Sequence, residues 1–345
     1  MTSPLNIAQV GVGYWGKNLL RNFAALPTAR VVAVCEQRED LRHEIAAAYP
    51  QLTVTARYEE VLAAADVEAV VLATETPRHY GLALAALRAG KHVFVEKPMA
   101  RTADEARELV AEAASRDLRL MVGHLLLFHP AFRYVEDLIR AGDLGDVYYL
   151  HSQRVNLGII RKEENAFESL APHDLSVALT LLDGSPVAVS AQGQSYVQSG
   201  VEDVAFATIY FDNGQLAHLH TSWLDPQKVR KITVVGSRRM AVIDDVSGSE
   251  KVRLFDKGID VQPGDPRYVE YADTPTVRDG DILIPHIRAA EPLRLECEHF
   301  IDCVQQATSP KSDGRHGLAV VQVMEAAQRS IKQKGSCVEI KSLLP

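Results

Sequence analysis

The sequence predicts an α/β fold in two parts: a doubly wound parallel sheet, then an α+β domain with a large, mostly antiparallel sheet. Three observations predict it. Gly11-Val12-Gly13-Tyr14-Trp15-Gly16 lies between an apolar strand pattern at 7–10 and a helical pattern carrying Leu19, Leu20 and Phe23 on one side. Short apolar runs then alternate with helical patterns through the first third of the chain. Past Gly123 the pattern changes to longer strands in succession. Alternating β and α implies right-handed crossovers and buried parallel strands, the Rossmann arrangement, whereas a run of strands implies an antiparallel sheet. The division expected is 1–123 for the N-terminal domain and 124–345 for an α+β substrate-binding and oligomerisation domain.

The elements follow in order. Strands are expected at 7–10, 31–35, 69–73, 92–95 and 118–122. Helices are expected between them at 17–26, 38–48, 58–64, 79–89 and 102–116. Thr102 with Glu105 reads as a capping box, and Gly90 as a helix stop. A helix at 130–141 ends at Gly142. Strands follow at 147–155, 187–196, 204–211, 216–223, 230–236 and 240–244, with Asp212-Asn213-Gly214 as a hairpin turn. Helices at 173–183, 291–306 and 316–331 can cover one face. The strand at 204–211 is apolar on both faces, with Val204, Phe206 and Tyr210 on one and Ala205, Ile209 and Phe211 on the other. A solvated outer face rarely looks so. The expectation is a symmetric contact with another subunit, a homodimer or homotetramer built through this sheet; loops of the same chain are the alternative cover.

Composition bounds the classes of function. The chain has 345 residues, 47% hydrophobic and 24% charged, ordinary for a globular protein of two domains. A net charge of -8 argues against a nucleic-acid surface. No secretory pattern opens the chain and no apolar stretch is long enough to span a bilayer, so a cytoplasmic protein without a membrane partner is expected. Cys35, Cys297, Cys303 and Cys337 form no C-x-x-C pair. Cys297, His299 and Cys303 fall in a helical pattern at spacings that do not share a face, so no metal site is expected.

The glycine run carries the first chemistry. Gly11 makes the tight turn, Gly13 admits a pyrophosphate close to the backbone, and Gly16 lets the helix pack on the strand. The helix start then offers free N–H groups to phosphates, with Tyr14 and Trp15 on the same loop. Glu36 ends the second strand, twenty residues after Gly16. An acid there accepts from the adenosine ribose and repels a 2′-phosphate, which favours NAD over NADP. Arg38 is placed to stack on adenine or to stay solvated. Thr74, Thr76, Pro77 and His79 follow the strand at 69–73, where open α/β sheets bind ligands. They are candidates to line the cofactor, and equally a helix start with Thr76 as cap and Pro77 first in the helix. Glu96-Lys97-Pro98 ends the next strand. There Lys97 can hold a substrate hydroxyl and stabilise alkoxide charge, and Pro98 permits a cis bond.

The order G-V-G-Y-W-G, then T-P-R-H at 76–79, then A-G-K-H-V-F-V-E-K-P at 89–98, resembles the Gfo/Idh/MocA oxidoreductases. Arg154-Val-Asn156-Leu-Gly, Glu164-Asn165 and Ala171-Pro-His173-Asp174-Leu resemble a narrower, WlbA-like branch that oxidises C3 of UDP-N-acetylglucosamine or its uronic acid. The resemblance runs on through Glu291–Phe300. It implies an NAD-dependent dehydrogenase with Lys97 and His173 as the catalytic pair, His173 taking the hydroxyl proton. It also implies a sugar or sugar-nucleotide substrate held by Lys97, Arg154, Asn156, Asn165, His173 and Asp174, with Glu96 and Lys97 beside the cofactor. Many family members carry an Asp four residues before this His; here the residue is Ser169. Arg154, Arg161 and Lys162 suit a pyrophosphate or carboxylate, or form a charged loop that Glu163 and Glu164 offset. Oxidation of a free cyclitol or monosaccharide, an NAD- and sugar-sensing regulator, and an internal redox cycle remain the competing readings.

Overall fold

A computed structural model describes residues 3–158, 160–162, 164–260 and 276–340. The chain divides into two compact units, Met1–Phe128 with Ala290–Glu325, and His129–Ala289 with Ala326–Pro345.

The first unit opens with β1 (Leu5–Val10), α1 (Gly16–Ala25), β2 (Ala29–Cys35), α2 (Glu39–Ala48), β3 (Thr53–Thr55), α3 (Tyr58–Ala63) and β4 (Ala69–Leu72). It continues with α4 (Thr76–Arg88), β5 (His92–Glu96), α5 (Ala103–Ser115), β6 (Leu120–Gly123) and a single 3₁₀ turn at Leu125–Phe128. The six strands are parallel, in the order β3-β2-β1-β4-β5-β6. Strands β4 and β6 are buried along their whole length, as the uninterrupted apolar runs required. The order reverses between β1 and β4, and the loops at the carboxyl ends of those strands are where such sheets take ligands. Thr102 caps α5 by accepting from the Glu105 N–H at 3.2 Å. Glu105 reaches back to the N–H of Arg101 rather than to that of Thr102. Gly90 and Gly142 stop their helices at φ 76°.

The compact units group the chain differently from the expected 1–123 and 124–345. Helix α8 (Pro292–Gln305) and most of α9 (Gly314–Lys332) belong with the first unit up to Glu325. The cause is packing and pairing at β6 and β5. The Val122 N–H donates to the Ser312 carbonyl at 2.8 Å, and Ser312 Oγ donates back to the Val122 carbonyl at 2.7 Å. Phe300 of α8 meets Phe94 of β5 edge-on, with ring centroids 5.7 Å apart.

The second unit holds α6 (Pro130–Arg140), β7 (Val147–Val155), α7 (Ala166–Leu181), β8 (Pro186–Gln194), β9 (Val204–Phe211) and β10 (Leu216–Ser222). Strands β11 (Val229–Gly236), β12 (Met240–Asp244), β13 (Val252–Asp260), β14 (Thr276–Leu283) and β15 (Val338–Glu339) complete it. The sheet runs β14-β13-β12-β11-β7-β10-β9-β8-β15. It is mixed, because β7 and β10 pair in parallel while their other neighbours are antiparallel. The hairpin at Asp212–Gly214 joins β9 and β10. On β9, Ala205, Ala207, Ile209 and Phe211 are buried. Phe206 and Tyr210 stay 44% and 37% exposed on the other face. Tyr210 is in register with Leu216, and Leu216 with Tyr149, so the exposed apolar row crosses three strands.

Helix α7 begins seven residues before the expected start at 173. Asn165 and Glu168 form a reciprocal capping box there. Pro172 lies inside the helix.

Candidate active site

The dinucleotide loop is built at the end of β1. Its first glycine adopts φ 87°, and a Cβ on Gly11 would stand 2.6 Å from the Ala73 carbonyl oxygen. A Cβ on Gly16 would stand 2.4 Å from the Gly11 carbonyl oxygen, so loop and helix touch there backbone to backbone. A Cβ on Gly13 would meet nothing within 4 Å, which leaves that flank of the loop open to a ligand. Gln9, buried in β1, braces the turn by donating to the Gly11 and Gly16 carbonyls at 2.9 and 2.7 Å. Gln9 was not among the expected site residues; its signal is an amide inside the apolar strand pattern at 7–10.

Glu36 closes on the same loop. Its carboxylate accepts from the Val12 N–H at 2.9 Å and from the Arg38 N–H at 3.0 Å. An acid is thus fixed at the tip of β2, where a ribose hydroxyl donates and a 2′-phosphate is repelled. Arg38 is exposed and paired with Asp40 at 2.5 Å. It lines an open cleft with Gly13, Tyr14, Lys17, Asn18 and Leu41. Tyr14 is 93% exposed on that loop. These residues fit a dinucleotide: an open glycine flank, a helix start and a fixed acid.

The end of β4 gives a mixed picture. Thr74 Oγ1 is buried without a hydrogen-bond partner among the described residues, a polar atom suited to a bound ligand. Thr76 and Pro77 are the first two residues of α4, and the cap is Glu75, not Thr76. His79 is 1% exposed. Its Nδ1 lies 2.8 Å from the Pro98 carbonyl and its Nε2 2.8 Å from the Thr74 carbonyl. The ring therefore ties two loops together, and its expected place against the cofactor is corrected to a bracing one. Burial holds its pKa below the usual histidine value.

At the end of β5, Trp15 Nε1 donates to Glu96 Oε1 at 2.6 Å. The dinucleotide loop and the strand end that carries Lys97 are joined by this bond. Burial pushes Glu96 up to about 7, against the Trp15 hydrogen bond and the Lys97 charge. A Cβ on Gly123 of β6 would come 2.9 Å from Glu96 Oε1, so a side chain there would push the carboxylate aside. The Lys97–Pro98 peptide is cis.

In the second unit His173 is half-buried on α7, and its carbonyl accepts from Ser176 Oγ at 2.8 Å. Its neighbour Asp174 is bound elsewhere. Arg154 of β7 reaches both Asp174 oxygens through Nε at 3.0 Å, and Oδ1 through Nη2 at 2.8 Å. The two are 5% and 1% exposed. This buried pair pins α7 to β7, which corrects the expectation that Arg154 and Asp174 contact substrate. Asn165 caps α7 and donates to Glu202 Oε2 at 2.7 Å, again a structural task. Asn156 stays half-exposed just past β7. Arg161 pairs with Glu164 at 2.7 Å, and Glu163 lies outside the described residues. His299 accepts from the Lys311 N–H at 2.8 Å and lies 3.4 Å from Cys303 Sγ, a contact inside α8 and its following turn.

Comparison with known proteins agrees with this layout. Residues 5–124 match the oxidoreductase family with the NAD-binding Rossmann fold, and residues 132–242 match the GFO/IDH/MocA C-terminal domain. The UDP-N-acetylglucosamine 3-dehydrogenase of Acidithiobacillus ferrooxidans is 27% identical over 90% of this chain and 92% of its own. The inositol 2-dehydrogenase of Rhizobium meliloti is 26% identical over 94% of this chain and 96% of its own. The solved structure of GenD2 from gentamicin A biosynthesis, in complex with NAD, shares the fold with a TM-score of 0.81. It is 23% identical, over 99% of this chain and 98% of that one.

Proposed function

Because this chain belongs to the Gfo/Idh/MocA family of oxidoreductases, we propose that it oxidises a secondary alcohol of a sugar nucleotide, at C3 of a UDP-N-acetylglucosamine-type ring such as UDP-N-acetylglucosaminuronate. The observation that carries the reading is the Trp15–Glu96 bond, which joins the dinucleotide loop to the strand end bearing Lys97. Bound NAD supplies the hydride acceptor. Lys97 Nζ donates a hydrogen bond to the reacting hydroxyl oxygen and steadies the negative charge that grows there. The His173 imidazole takes the hydroxyl proton, acting as the general base. Support for the substrate is the likeness to the 3-dehydrogenase over nine-tenths of the chain.

A second reading, a free cyclitol or monosaccharide, is favoured by one observation. Arg154, a candidate for pyrophosphate, is consumed by Asp174. A panel of UDP-sugars, free sugars and cyclitols, followed by the absorbance of reduced nicotinamide, separates the two. Turnover that vanishes without the nucleotide supports the first reading. Equal turnover of myo-inositol overturns it. We assign the sheet face that exposes Tyr149, Phe206, Tyr210 and Leu216 to contact with a second copy of this chain.

A further inference from the structure

Three elements of the first unit, α1, β5 and α8, meet around Phe23, Phe94 and Phe300. The ring centroids are 6.0 Å apart for Phe23 and Phe94, 6.4 Å for Phe23 and Phe300, and 5.7 Å for Phe94 and Phe300. Along β5 the next residue on the Phe94 face is Glu96, two positions on. Along α8 the residue one turn before Phe300 on the same face is Glu296. Along α1 the residue two turns before Phe23 is Trp15, whose indole holds Glu96. These spacings place Trp15, Glu96 and Glu296 on the side of the aromatic triad toward the strand end that carries Lys97.

Glu296 is out of place on its helix. It shares the buried face of α8 with Leu293, Cys297, Phe300 and Ile301. It has no exposed surface, and neither carboxyl oxygen has a hydrogen-bond partner among the described residues. An ionised carboxylate without a donor in such a place is strongly disfavoured, whereas a protonated one has an O–H to give. Two neighbouring carboxyl groups, one half-buried and the other closed to water, resist ionising together. Of the two, Glu96 has the indole donor and the lysine charge, so Glu96 takes the negative charge and Glu296 keeps the proton.

We propose that Glu296 is a positioning residue: as a neutral carboxylic acid it partners the Glu96 carboxylate, and together with the Trp15 indole it fixes that carboxylate beside Lys97. The active-site part of this inference rests on the dehydrogenase reading above; the Glu96–Glu296 pair does not. The other titratable groups around the layer are Lys97, His124 after β6, Cys297 on α8 and His316 on α9. Burial keeps the two imidazoles neutral and the Cys297 thiol protonated. Glu291 at the head of α8 is occupied by Arg21 at 2.5 Å. Burial, then the nearby Glu96, drives the Glu296 carboxyl upward, in accord with the geometry.

The test uses the whole protein without substrate. Trp15 and Trp223 are its two tryptophans, so in a W223F background fluorescence reports on Trp15 alone. Titration of Glu96 beneath the indole appears as a transition near neutrality, which E96Q removes. E296L deletes the donor, and the expected result is a transition moved upward by at least about half a pH unit. E296Q keeps a neutral donor, and restoration of the parent transition is expected. A transition in E296L identical to the parent overturns the proposal, and so does an E296Q variant that behaves like E296L. Infrared spectroscopy keeps the proposal testable if E296L does not fold. A protonated-carboxyl band that survives to about pH 9 and disappears in E296Q supports it; its absence overturns it. The acidic limb of kcat/KM should move with the fluorescence transition. A moved transition with an unmoved limb would fault the assignment of Lys97 and leave the pair intact.

Discussion

Removing one member of the Arg154–Asp174 pair should cost far more than removing both. The pair is closed from water, with Arg154 5% and Asp174 1% exposed. At a separation near 3 Å and an effective dielectric of about 20, the attraction is about 5 kcal/mol. Desolvation of each ion costs several kcal/mol, so the net contribution of the intact pair is close to zero. Asp174→Ala leaves a buried guanidinium without its counter-charge, and a loss of about 3–5 kcal/mol is expected. Arg154→Met strands the carboxylate and should cost a similar amount. The double variant should lie within about 2 kcal/mol of the parent, because neither charge is left alone. Urea unfolding followed by Trp223 in a W15F background reads the unit that contains the pair, since Trp223 is buried there at 3% exposure. Single variants that each cost less than about 1 kcal/mol, or a double variant that costs their sum, would refute the reasoning.

The glycine loop separates binding from folding. Gly13→Ala should leave the melting temperature in place while NAD affinity falls at least about tenfold, because the open flank is the ligand's. Gly16→Ala forces a methyl to 2.4 Å from the Gly11 carbonyl oxygen and should destabilise the fold by about 1–3 kcal/mol, read by denaturant unfolding. Lys97→Ala and His173→Asn should each lower kcat at least about a hundredfold with NADH binding little changed; wild-type turnover in both would end the acid–base assignment. His316 accounts for part of the acid sensitivity. Burial lowers it to about 4, so the folded chain takes up this proton less readily than the unfolded one. Its contribution is complete above about pH 6.5 and is lost as pH falls toward the folded value. His316→Phe should therefore flatten the stability-against-pH curve over that window by about 3 kcal/mol; an unchanged slope counts against it.

The first sheet was legible because its strands are short apolar runs between periodic helices. The exception is β3, where Thr53 is exposed and Val54 and Thr55 are half-buried, so burial gives no pattern to read. Helix α7 was misread because eleven of its sixteen residues are buried, so no polar face marks its length. Its true start, Asn165 with Glu168, lay in a segment that reads as a charged loop. Strands β13 and β14 are rich in charge and partly exposed, and they show no alternation. The parallel β7–β10 pairing joins strands far apart in sequence, which local patterns do not encode. At the site, spacing and context single out the glycines, Glu36 and Lys97 as candidates. Arg154 and Asp174 looked like ligand contacts because nothing in the sequence shows that they face each other. Glu296 had a signal that went unused, an acid inside the apolar i, i+3, i+4, i+7 series of α8.

His79 faces an arithmetic problem. Two carbonyls point at one buried ring, each at 2.8 Å, and a neutral imidazole carries a single N–H. One oxygen receives the proton while the other confronts a lone pair, unless the ring takes on a charge that its surroundings oppose. A hydroxyl or amide arriving at the Thr74 carbonyl would settle the matter from outside, leaving the imidazole proton to serve Pro98. A ligand that donated to the Thr74 carbonyl would thereby favour the tautomer whose N–H serves Pro98.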